Sequence, residues 1–478
     1  MLPTLNMAAD QVAALFIEEG SKQPTCPIWL VEAPKDDETL AAGLPPRDQA
    51  WLKAIEFKPV PGSWALLPGD DGIGGIALAA ESLQGSHHPL LPGSLPPVLP
   101  SGAYHLDWTP NNANLAAISW ALGHYAFRRY QTNGNGGEKR LRLPEGAVRG
   151  EIVNIASAVW LGRDLINIPA NDLGPAELEE AARGVAAHFG AECRVISGDD
   201  LLAENFPLIH AVGRASARAP RIIDIGWGDA TEAPEVPKIA LIGKGICFDT
   251  GGLNIKHGAG MALMKKDMGG AATALALAAM IMGAGLPVKL RLLIPAAENS
   301  ISGNAYRPGD VLKSRAGINV EIGDTDAEGR LVLADALALA DEDKPDYIFS
   351  FATLTGSARV ALGPDLPPVY STDAAIANVL AEAGRKVGDP MWPMPFWQPY
   401  DSLLESRVAD VNSIFPEPFA GSVMAALFLK RFVKAAKTYT HFDIYGWVPR
   451  PQPGKPFGGE PQCARAVFDH LSRTFAKA

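Results

Sequence analysis

The sequence predicts an α/β protein of two domains: a small N-terminal α/β domain and a larger C-terminal domain whose mixed sheet is sandwiched by helices. Three observations predict this fold. The 478 residues are too many for one typical hydrophobic core. Residues 1 to about 130 alternate short apolar runs with turns rich in proline and glycine. From Pro175 onward, strand-like and helix-like patterns alternate, which is typical of a sheet covered by helices on both faces.

The N-terminal part carries the shorter elements. Its predicted strands lie at 28–31, 63–67 and 75–79, and its predicted helices at 47–56 and 112–130. Arg128 and Arg129, with Tyr125 and Tyr130, are predicted to lie at the solvated face of the second helix, since polar and apolar positions there have helical spacing.

A turn-forming stretch at 132–137 predicts a linker, and a helix over 150–164 is predicted to join the two halves. We therefore predict an N-terminal α/β (macro-like) domain over 1–135, a linker and connecting helix over 136–165, and a C-terminal domain over 166–478. The elements predicted in the C-terminal domain are helices at 175–189, 198–204, 269–284 and 328–341, and strands at 193–196, 220–226, 238–242, 288–294, 318–322 and 346–351. Ligands of such sheets bind beyond the carboxyl ends of the strands.

Composition and charge narrow the functional classes. The net charge of -11 argues against a general nucleic-acid-binding protein. Four widely separated cysteines show neither a disulfide framework nor a cysteine metal site, which fits a reducing compartment. The charge-free run 268–288 is mostly alanine and glycine, so we predict a buried helix rather than a membrane span. With no signal-peptide pattern at the N-terminus, we expect a soluble, cytoplasmic protein.

The stretch 323–333 concentrates charge at a strand-to-helix turn. Asp324, Asp326, Glu328 and Arg330 follow a β-branched run and lead into a helical pattern. Carboxylates this close repel one another unless cations hold them, and hard oxygen ligands suit a divalent ion. Two residues apart, Asp326 and Glu328 aim at one point only if the turn is irregular. A helix N-cap at Asp324 or Asp326 with Glu328 completing a capping box explains the pattern equally well.

A second polar cluster follows the predicted strand at 238–242. It contributes Lys244, Asp249, Lys256 and Asp267, each near a strand end or helix start. The acids of the two clusters together would suffice for two divalent ions, as two-metal hydrolysis requires. A lysine beside two dications can be neutral and act as a nitrogen ligand, although a simple ion pair is an equal alternative. No phosphate-loop, His-Glu-x-x-His or Gly-x-Ser-x-Gly pattern occurs.

Five motifs resemble the successive signatures of the leucyl aminopeptidase family (cytosol aminopeptidases, peptidase family M17). They match in order and approximate spacing, and the likeness extends from about Arg163 to about residue 447. The motifs are Gly-Lys-Gly-Ile-Cys-Phe-Asp-Thr-Gly-Gly-Leu-Asn-Ile-Lys at 243–256, Met-Lys-Lys-Asp-Met-Gly-Gly-Ala-Ala at 264–272, Tyr-Arg-Pro-Gly-Asp at 306–310, Thr-Asp-Ala-Glu-Gly-Arg-Leu at 325–331 and Ala-Thr-Leu-Thr-Gly at 352–356.

The resemblance implies that 166–478 is a catalytic metallopeptidase domain that removes N-terminal residues from peptides, with a possible preference for apolar residues such as leucine. It implies two divalent metal ions, manganese or zinc first among the candidates, with Asp249 and Glu328 bridging them. Lys256 would be an electrophile, and Arg330 would hold a bicarbonate acting as general base. A homohexamer is also implied. The implied metal ligands are Lys244, Asp249, Asp267, Asp326 and Glu328, and the implied substrate pocket comprises Met264, Asp324, Thr353, Leu354 and Gly356.

One position departs from the family pattern, because Asp324 stands where the family usually has asparagine. A third acid beside the metals is predicted to tighten metal binding, to lower Lewis acidity or to change which amino terminus is accepted. A capping role, which Asp serves as well as Asn, is the alternative. A two-metal phosphoesterase and a non-catalytic, metal-stabilised scaffold are the competing functions. The first would have to repurpose Lys256 and Arg330, and the second predicts a lost ligand, whereas none is missing.

Overall fold

The computed structural model describes residues 2–32, 44–70, 72–81, 88–132, 137–228 and 236–475. The chain divides into two compact units. The N-terminal unit contains Asn6–Trp160 and Arg450–Phe457, and the C-terminal unit contains Met1–Leu5, Leu161–Pro449 and Gly458–Ala478. The boundary at Leu161 falls inside the helix Arg149–Asn167. Most of the predicted linker, 133–136, lies outside the described residues.

The N-terminal unit contains a mixed sheet of six strands in its described residues. In spatial order the strands are Phe16–Ile17, Lys139–Arg142, Gly102–Leu106, Cys26–Glu32, Gly72–Ala80 and Trp64–Gly69. Neighbouring strands are parallel except for the last pair, which forms an antiparallel hairpin. The helical elements are Leu5–Ala13, Pro46–Ala54, the 3-10 turn Leu91–Ser94 and Ala113–His124.

The second of the predicted N-terminal helices is shorter than expected. It spans Ala113–His124 and ends because Tyr125 takes an extended conformation, with φ -57° and ψ 133°. Arg128 and Arg129 therefore lie beyond the helix, and the prediction that they mark its solvated face was wrong. The helix residues from 116 to 123 are all buried, so this helix has a wide apolar surface rather than the amphipathic pattern inferred from the sequence.

The C-terminal unit is built on a mixed sheet of nine strands in the described residues. Eight lie side by side in the order Trp392–Met394, Pro368–Ser371, Thr438–Asp443, Tyr347–Ala352, Lys238–Gly243, Lys289–Asn299, Arg221–Trp227 and Glu192–Ser197, and Gly245–Asp249 also pairs with Lys289–Asn299. Small additional sheets are formed by Val311–Lys313, Asn319–Glu321 and Val411–Asn412, and by Trp447–Val448 with Gly458–Gly459.

Helices cover this sheet on both faces, as predicted. Ala240 and Ile242 share a core cluster with residues of the helix Glu328–Glu342. Because side chains alternate along a strand, the buried Leu241 between them points to the opposite face. The helices of the unit, besides the end of Arg149–Asn167, are Pro175–His188, Asp200–Ala203, Pro207–Gly213, Gly258–Met261, Gly269–Gly283, Glu328–Glu342, Gly356–Leu362, Ala374–Val387, Gly421–Lys430 and Ala464–Thr474, with 3-10 turns at Met264–Met268, Thr325–Ala327 and Gln398–Leu404.

The charge-free run forms the helix Gly269–Gly283, whose residues are buried through Met282. It packs against the strands Lys238–Gly243 and Tyr347–Ala352, as expected for a helix rich in small residues. In the described residues, no helix has the length and apolar character that crossing a membrane requires.

The strand directions determine where functional residues collect. Four neighbouring strands, Thr438–Asp443, Tyr347–Ala352, Lys238–Gly243 and Lys289–Asn299, are mutually parallel. Their carboxyl ends therefore lie at one edge of the sheet, where an α/β fold places its ligands. Lys244 and Thr353 come directly after two of these strands, and Asp249 is the last residue of Gly245–Asp249.

Candidate metal centre

The acidic turn at 324–328 is irregular, as the sequence required. Asp324 is the N-cap of the 3-10 turn Thr325–Ala327, and the α-helix Glu328–Glu342 begins immediately after it. The Asp324 carboxylate accepts a 2.9 Å hydrogen bond from the backbone N–H of Asp326. Asp324 therefore has the capping role that the sequence left open.

Three carboxylates converge beside this turn. Asp249, Asp326 and Glu328 each offer an oxygen, and these oxygens all lie within 4.8 Å of one another. The Glu328 side chain is only 1% exposed, and its Oε2 has no hydrogen-bond partner in the described parts of the chain. A buried carboxylate oxygen without a donor is costly, and a divalent ion would satisfy it. The residues present therefore fit the metal centre that the family implies.

The electrostatics of these acids favours a cation. Burial, reinforced by the charge of Asp249, raises the pKa of Glu328 well above its ordinary range. The same two causes raise the pKa of Asp326 to about 6. Carboxylates hold protons in this way when negative charge is crowded in a dry site, and a bound dication would replace the protons.

Two lysines lie between the acids. The Lys244 Nζ is 2.8 Å from both Asp267 Oδ2 and Glu328 Oε1, so it connects the fourth acid to the cluster. The Lys256 Nζ is 2.8 Å from Asp249 Oδ2 and also contacts Asp326 Oδ1. Burial alone would lower the pKa of Lys244, but the surrounding carboxylates raise it. The ion pair considered from the sequence is thus present, and the role of Lys244 as a nitrogen ligand stays a prediction.

Asn299 holds the acidic cluster in place, and it was not among the site residues predicted from the sequence. It ends the strand Lys289–Asn299, and its Nδ2 donates to Asp249 Oδ1 at 2.8 Å and to the carbonyl oxygen of Thr325 at 3.0 Å. The hydroxyl of Tyr306 donates to the same carbonyl oxygen at 2.7 Å. The position of Asn299 at the carboxyl end of a central strand was the signal that could have identified it.

A second supporting residue, Asp443, organises the predicted substrate segment. Its buried carboxylate accepts hydrogen bonds from the backbone N–H groups of Leu354 and Thr355, each at 3.1 Å. It also accepts from the hydroxyls of Thr355 and Ser422. Thr353, the residue before this anchored pair, donates from Oγ1 to Asp267 Oδ1 at 2.7 Å. The predicted pocket segment is thereby fastened directly to a predicted metal ligand.

Arg330 is buried and forms no ion pair with an acid of the described residues. Its side chain is 8% exposed, Nη1 donates to the carbonyl oxygen of Ser413 at 2.5 Å, and Nε has no partner among the described residues. Burial lowers the pKa of the guanidinium to about 10. Since arginine stays protonated at neutral pH, this group is suited to an anion that would meet the free Nε.

The other predicted pocket residues lie on the segments that contain Asp267 and Thr353, or directly after them. Met264 opens the 3-10 turn Met264–Met268 that carries Asp267, and it is half-buried. Leu354 is half-buried as well, and Gly356 is exposed at the start of the helix Gly356–Leu362.

Fold and site together define the class: an α/β protein with clustered acids, suited to divalent cations, beside a mixed sheet. Comparisons with known proteins give the family. The profile of the cytosol aminopeptidase catalytic domain matches residues 160–463, and that of the M17 aminopeptidase N-terminal domain matches residues 27–144. The chain belongs to the cytosol aminopeptidase family.

Individual relatives agree with this assignment. A probable cytosol aminopeptidase of Desulfovibrio desulfuricans is 42% identical over 66% of this chain and 63% of its own length. One from Roseiflexus castenholzii is 40% identical over 76% of this chain and 75% of its own length. The resemblance stated from the sequence is therefore confirmed, and with it the class of metallo-aminopeptidases.

Solved structures agree with the fold. The crystal structure of a cytosol aminopeptidase from Coxiella burnetii has a TM-score of 0.88 and 42% identity, and the match covers 96% of this chain and 99% of that one. The bottromycin maturation enzyme BotP, solved in complex with Mn, has a TM-score of 0.83 and 28% identity over 94% of this chain and 99% of its own. The predicted two-part α/β architecture is confirmed.

Proposed function

We propose that this chain is a two-metal aminopeptidase that hydrolyses the N-terminal residue from peptides. One observation carries the proposal: oxygens of Asp249, Asp326 and Glu328 lie within 4.8 Å of one another, and Oε2 of Glu328 is buried with no hydrogen-bond donor in the described residues. Clustered carboxylate oxygens suit divalent cations, whereas they would repel the bicarbonate anion that the family also implies.

The residues that would hold the metal ions in this proposal are Lys244, Asp249, Asp267, Asp326 and Glu328. Bound there, the ions would lower the pKa of a water molecule that attacks the peptide carbonyl, and would fix the free amino group of the substrate. Manganese or zinc fits a set of carboxylates with one amine. The related enzyme BotP, solved with Mn, makes manganese the first ion to test.

Two cationic residues supply the remaining chemistry. The ammonium of Lys256 lies among the acids, 2.8 Å from Asp249, so it can stabilise the negative charge that develops on the carbonyl oxygen during attack. The buried guanidinium of Arg330 keeps its Nε free in the described structure, and we propose that it holds bicarbonate. Bicarbonate in that position would be the general base for the attacking water.

The substrate pocket proposed here comprises Met264, Asp324, Thr353, Leu354 and Gly356. Its half-buried Met264 and Leu354 favour an apolar N-terminal side chain such as that of leucine. A cytoplasmic location and assembly into a homohexamer complete the proposal, on the support of the family assignment.

The test is hydrolysis of aminoacyl-anilides by dialysed protein, with manganese, zinc, cobalt or magnesium restored in turn. We expect two metal ions per chain, turnover of substrates with a free amino group, and no turnover of N-acetylated ones. Lys256→Ala should bind metal but lose most of the turnover, since about 100- to 1,000-fold is typical for loss of one oxyanion-stabilising group. Failure of every metal-restored sample to cleave any free-amine substrate would refute the proposed function.

A further inference from the structure

A cationic group beside the metal centre is not explained by the proposed mechanism. Lys266 precedes the predicted metal ligand Asp267 in the turn Met264–Met268. Its Nζ lies 4.8 Å from the ring centroid of Tyr445, and the guanidinium carbon of Arg359 lies 4.8 Å from the same centroid. Two cations therefore share one aromatic ring next to the site where hydrolysis is proposed.

Lys266 has no acidic partner in the described residues, although its side chain is only 3% exposed. The two acids nearest in its electrostatic environment, Asp267 and Asp443, are already engaged. Asp267 pairs with Lys244, and Asp443 accepts hydrogen bonds from two backbone N–H groups and two hydroxyls. A buried ammonium without a counter-charge is costly, and the aromatic ring compensates for only part of this cost.

Arg359 extends this positive charge to the substrate segment. The helix Gly356–Leu362 begins at the end of the predicted pocket segment and carries Arg359 one turn later. The guanidinium folds back over that first turn, because Nη2 lies 3.5 Å from the point that a Cβ on Gly356 would occupy. Arg359 is exposed and forms no ion pair with an acid of the described chain, so its planar donors are available to a carboxylate.

We propose that Lys266 and Arg359, held by Tyr445, form a subsite that binds a carboxylate of the substrate. This inference rests on the proposed aminopeptidase function and adds a specificity to it. The carboxylate has two possible sources: the side chain of an N-terminal glutamate or aspartate, or the C-terminal carboxylate of a dipeptide. In both cases the subsite would supply the negative charge that Lys266 lacks.

The experiment compares two substrate pairs on the metal-restored enzyme. Glutamyl-anilide against leucyl-anilide tests the side-chain source, and Leu-Gly against its C-terminal amide tests the dipeptide source. Lys266→Met and Arg359→Met should each lower kcat/KM at least about tenfold for the carboxylate-bearing substrate of one pair. The loss should come mainly from a higher KM, because each variant removes a charge-assisted contact with the bound carboxylate. Its neutral partner should change less than about threefold. Lys266→Arg should restore most of the loss.

Lys386→Met is the matched control, because Lys386 is an exposed lysine whose ion pair, within the described residues, is with Glu382 on the helix Ala374–Val387. It should leave all four substrates unaffected. A loss confined to glutamyl-anilide or to Leu-Gly supports the subsite and identifies its source. Equal losses within both pairs, or no loss in either, would overturn it.

Binding of the same compounds, followed by calorimetry, separates this inference from the proposed function because it needs no turnover. If the holoenzyme cleaves none of the compounds, the proposed peptidase function is contradicted. The subsite is still tested in that case, because it predicts that the two variants weaken binding of the carboxylate-bearing compounds and of no others. Unchanged binding of those compounds would overturn the subsite even in an active enzyme.

Discussion

Replacing Gly329 with alanine tests whether the position of Lys244 matters for the proposed chemistry. Gly329 is the second residue of the helix Glu328–Glu342. A Cβ at this position would lie 2.5 Å from Cε and 2.6 Å from Nζ of Lys244. The substitution introduces a single methyl group, adds no charge and removes no hydrogen-bonding group.

The expected displacement follows from ordinary contact distances. Non-bonded carbon atoms approach to about 3.5–4.0 Å, so the end of Lys244 must retreat by about 1 Å. Lys244 is 2% exposed, and the movement breaks its 2.8 Å contacts with Asp267 and Glu328. A misplacement of about 1 Å at a reacting site costs about 100-fold in rate. Overpacking costs about 1–3 kcal/mol of stability, offset by about 1 kcal/mol of improved helix propensity.

The assay combines metal stoichiometry, kcat/KM on leucyl-anilide and thermal unfolding. Gly184→Ala is the matched control, because Gly184 lies inside the helix Pro175–His188 and a Cβ there meets no atom within 4 Å. We expect the control to gain about 1 kcal/mol of stability with unchanged turnover. Gly329→Ala should lose about 100-fold in turnover while losing at most about 2 kcal/mol of stability. Wild-type metal binding and turnover in Gly329→Ala would refute the role assigned to Lys244.

Two further substitutions test the surroundings of the site, and a third tests a buried acid elsewhere on the helix Glu328–Glu342. Asn299→Ala removes the donor to Asp249 and should weaken metal affinity about 10- to 100-fold in a metal titration, whereas the wild-type affinity would show that Asn299 only supports the fold. Asp324→Asn keeps a capping oxygen, so thermal stability should hold while metal affinity or peptide preference changes; if neither changes, the third acid has no role beyond the cap. Burial raises the pKa of Asp335 to about 7, so its contribution to the free energy of unfolding should fall as pH rises from about 4 to about 7 and then level off. Chemical denaturation of wild type and Asp335→Asn across this range measures that difference, and a contribution that rises with pH would contradict the shift.

The strands and the helix that carry much of the site could be predicted from the sequence because their local patterns are strong. The predicted strands at 238–242 and 346–351 correspond to Lys238–Gly243 and Tyr347–Ala352, and the predicted helix at 328–341 corresponds to Glu328–Glu342. Apolar β-branched runs and an alanine- and leucine-rich helical period are strong local signals. Once parallel strands alternate with helices, residues at the strand ends must meet at one edge.

Contacts between side chains and distant backbone groups could not be predicted in this way. Asp443 lies in a strand, yet its carboxylate anchors Leu354 and Thr355, about 90 positions earlier in the chain. A buried aspartate that accepts several N–H groups has no local pattern, because its donors come from another segment. The contacts of Asn299 could not be predicted for the same reason, because its two acceptors belong to Asp249 and Thr325.

The irregular turn shows how local geometry and distant contacts combine to build the centre. In a continuous α-helix, side chains two residues apart point about 200° away from each other, so Asp326 and Glu328 could not face one cation. The structure places Asp326 in the 3-10 turn and Glu328 at the start of the α-helix, where the rotation per residue changes. Thr325 fixes this junction, because its Oγ1 donates to the carbonyl oxygen of Gly251 at 2.7 Å and its N–H donates to Asn254 Oδ1 at 3.0 Å. The turn that carries two acids is therefore held by the loop that follows Asp249, and the convergence of the three carboxylates depends on both segments at once.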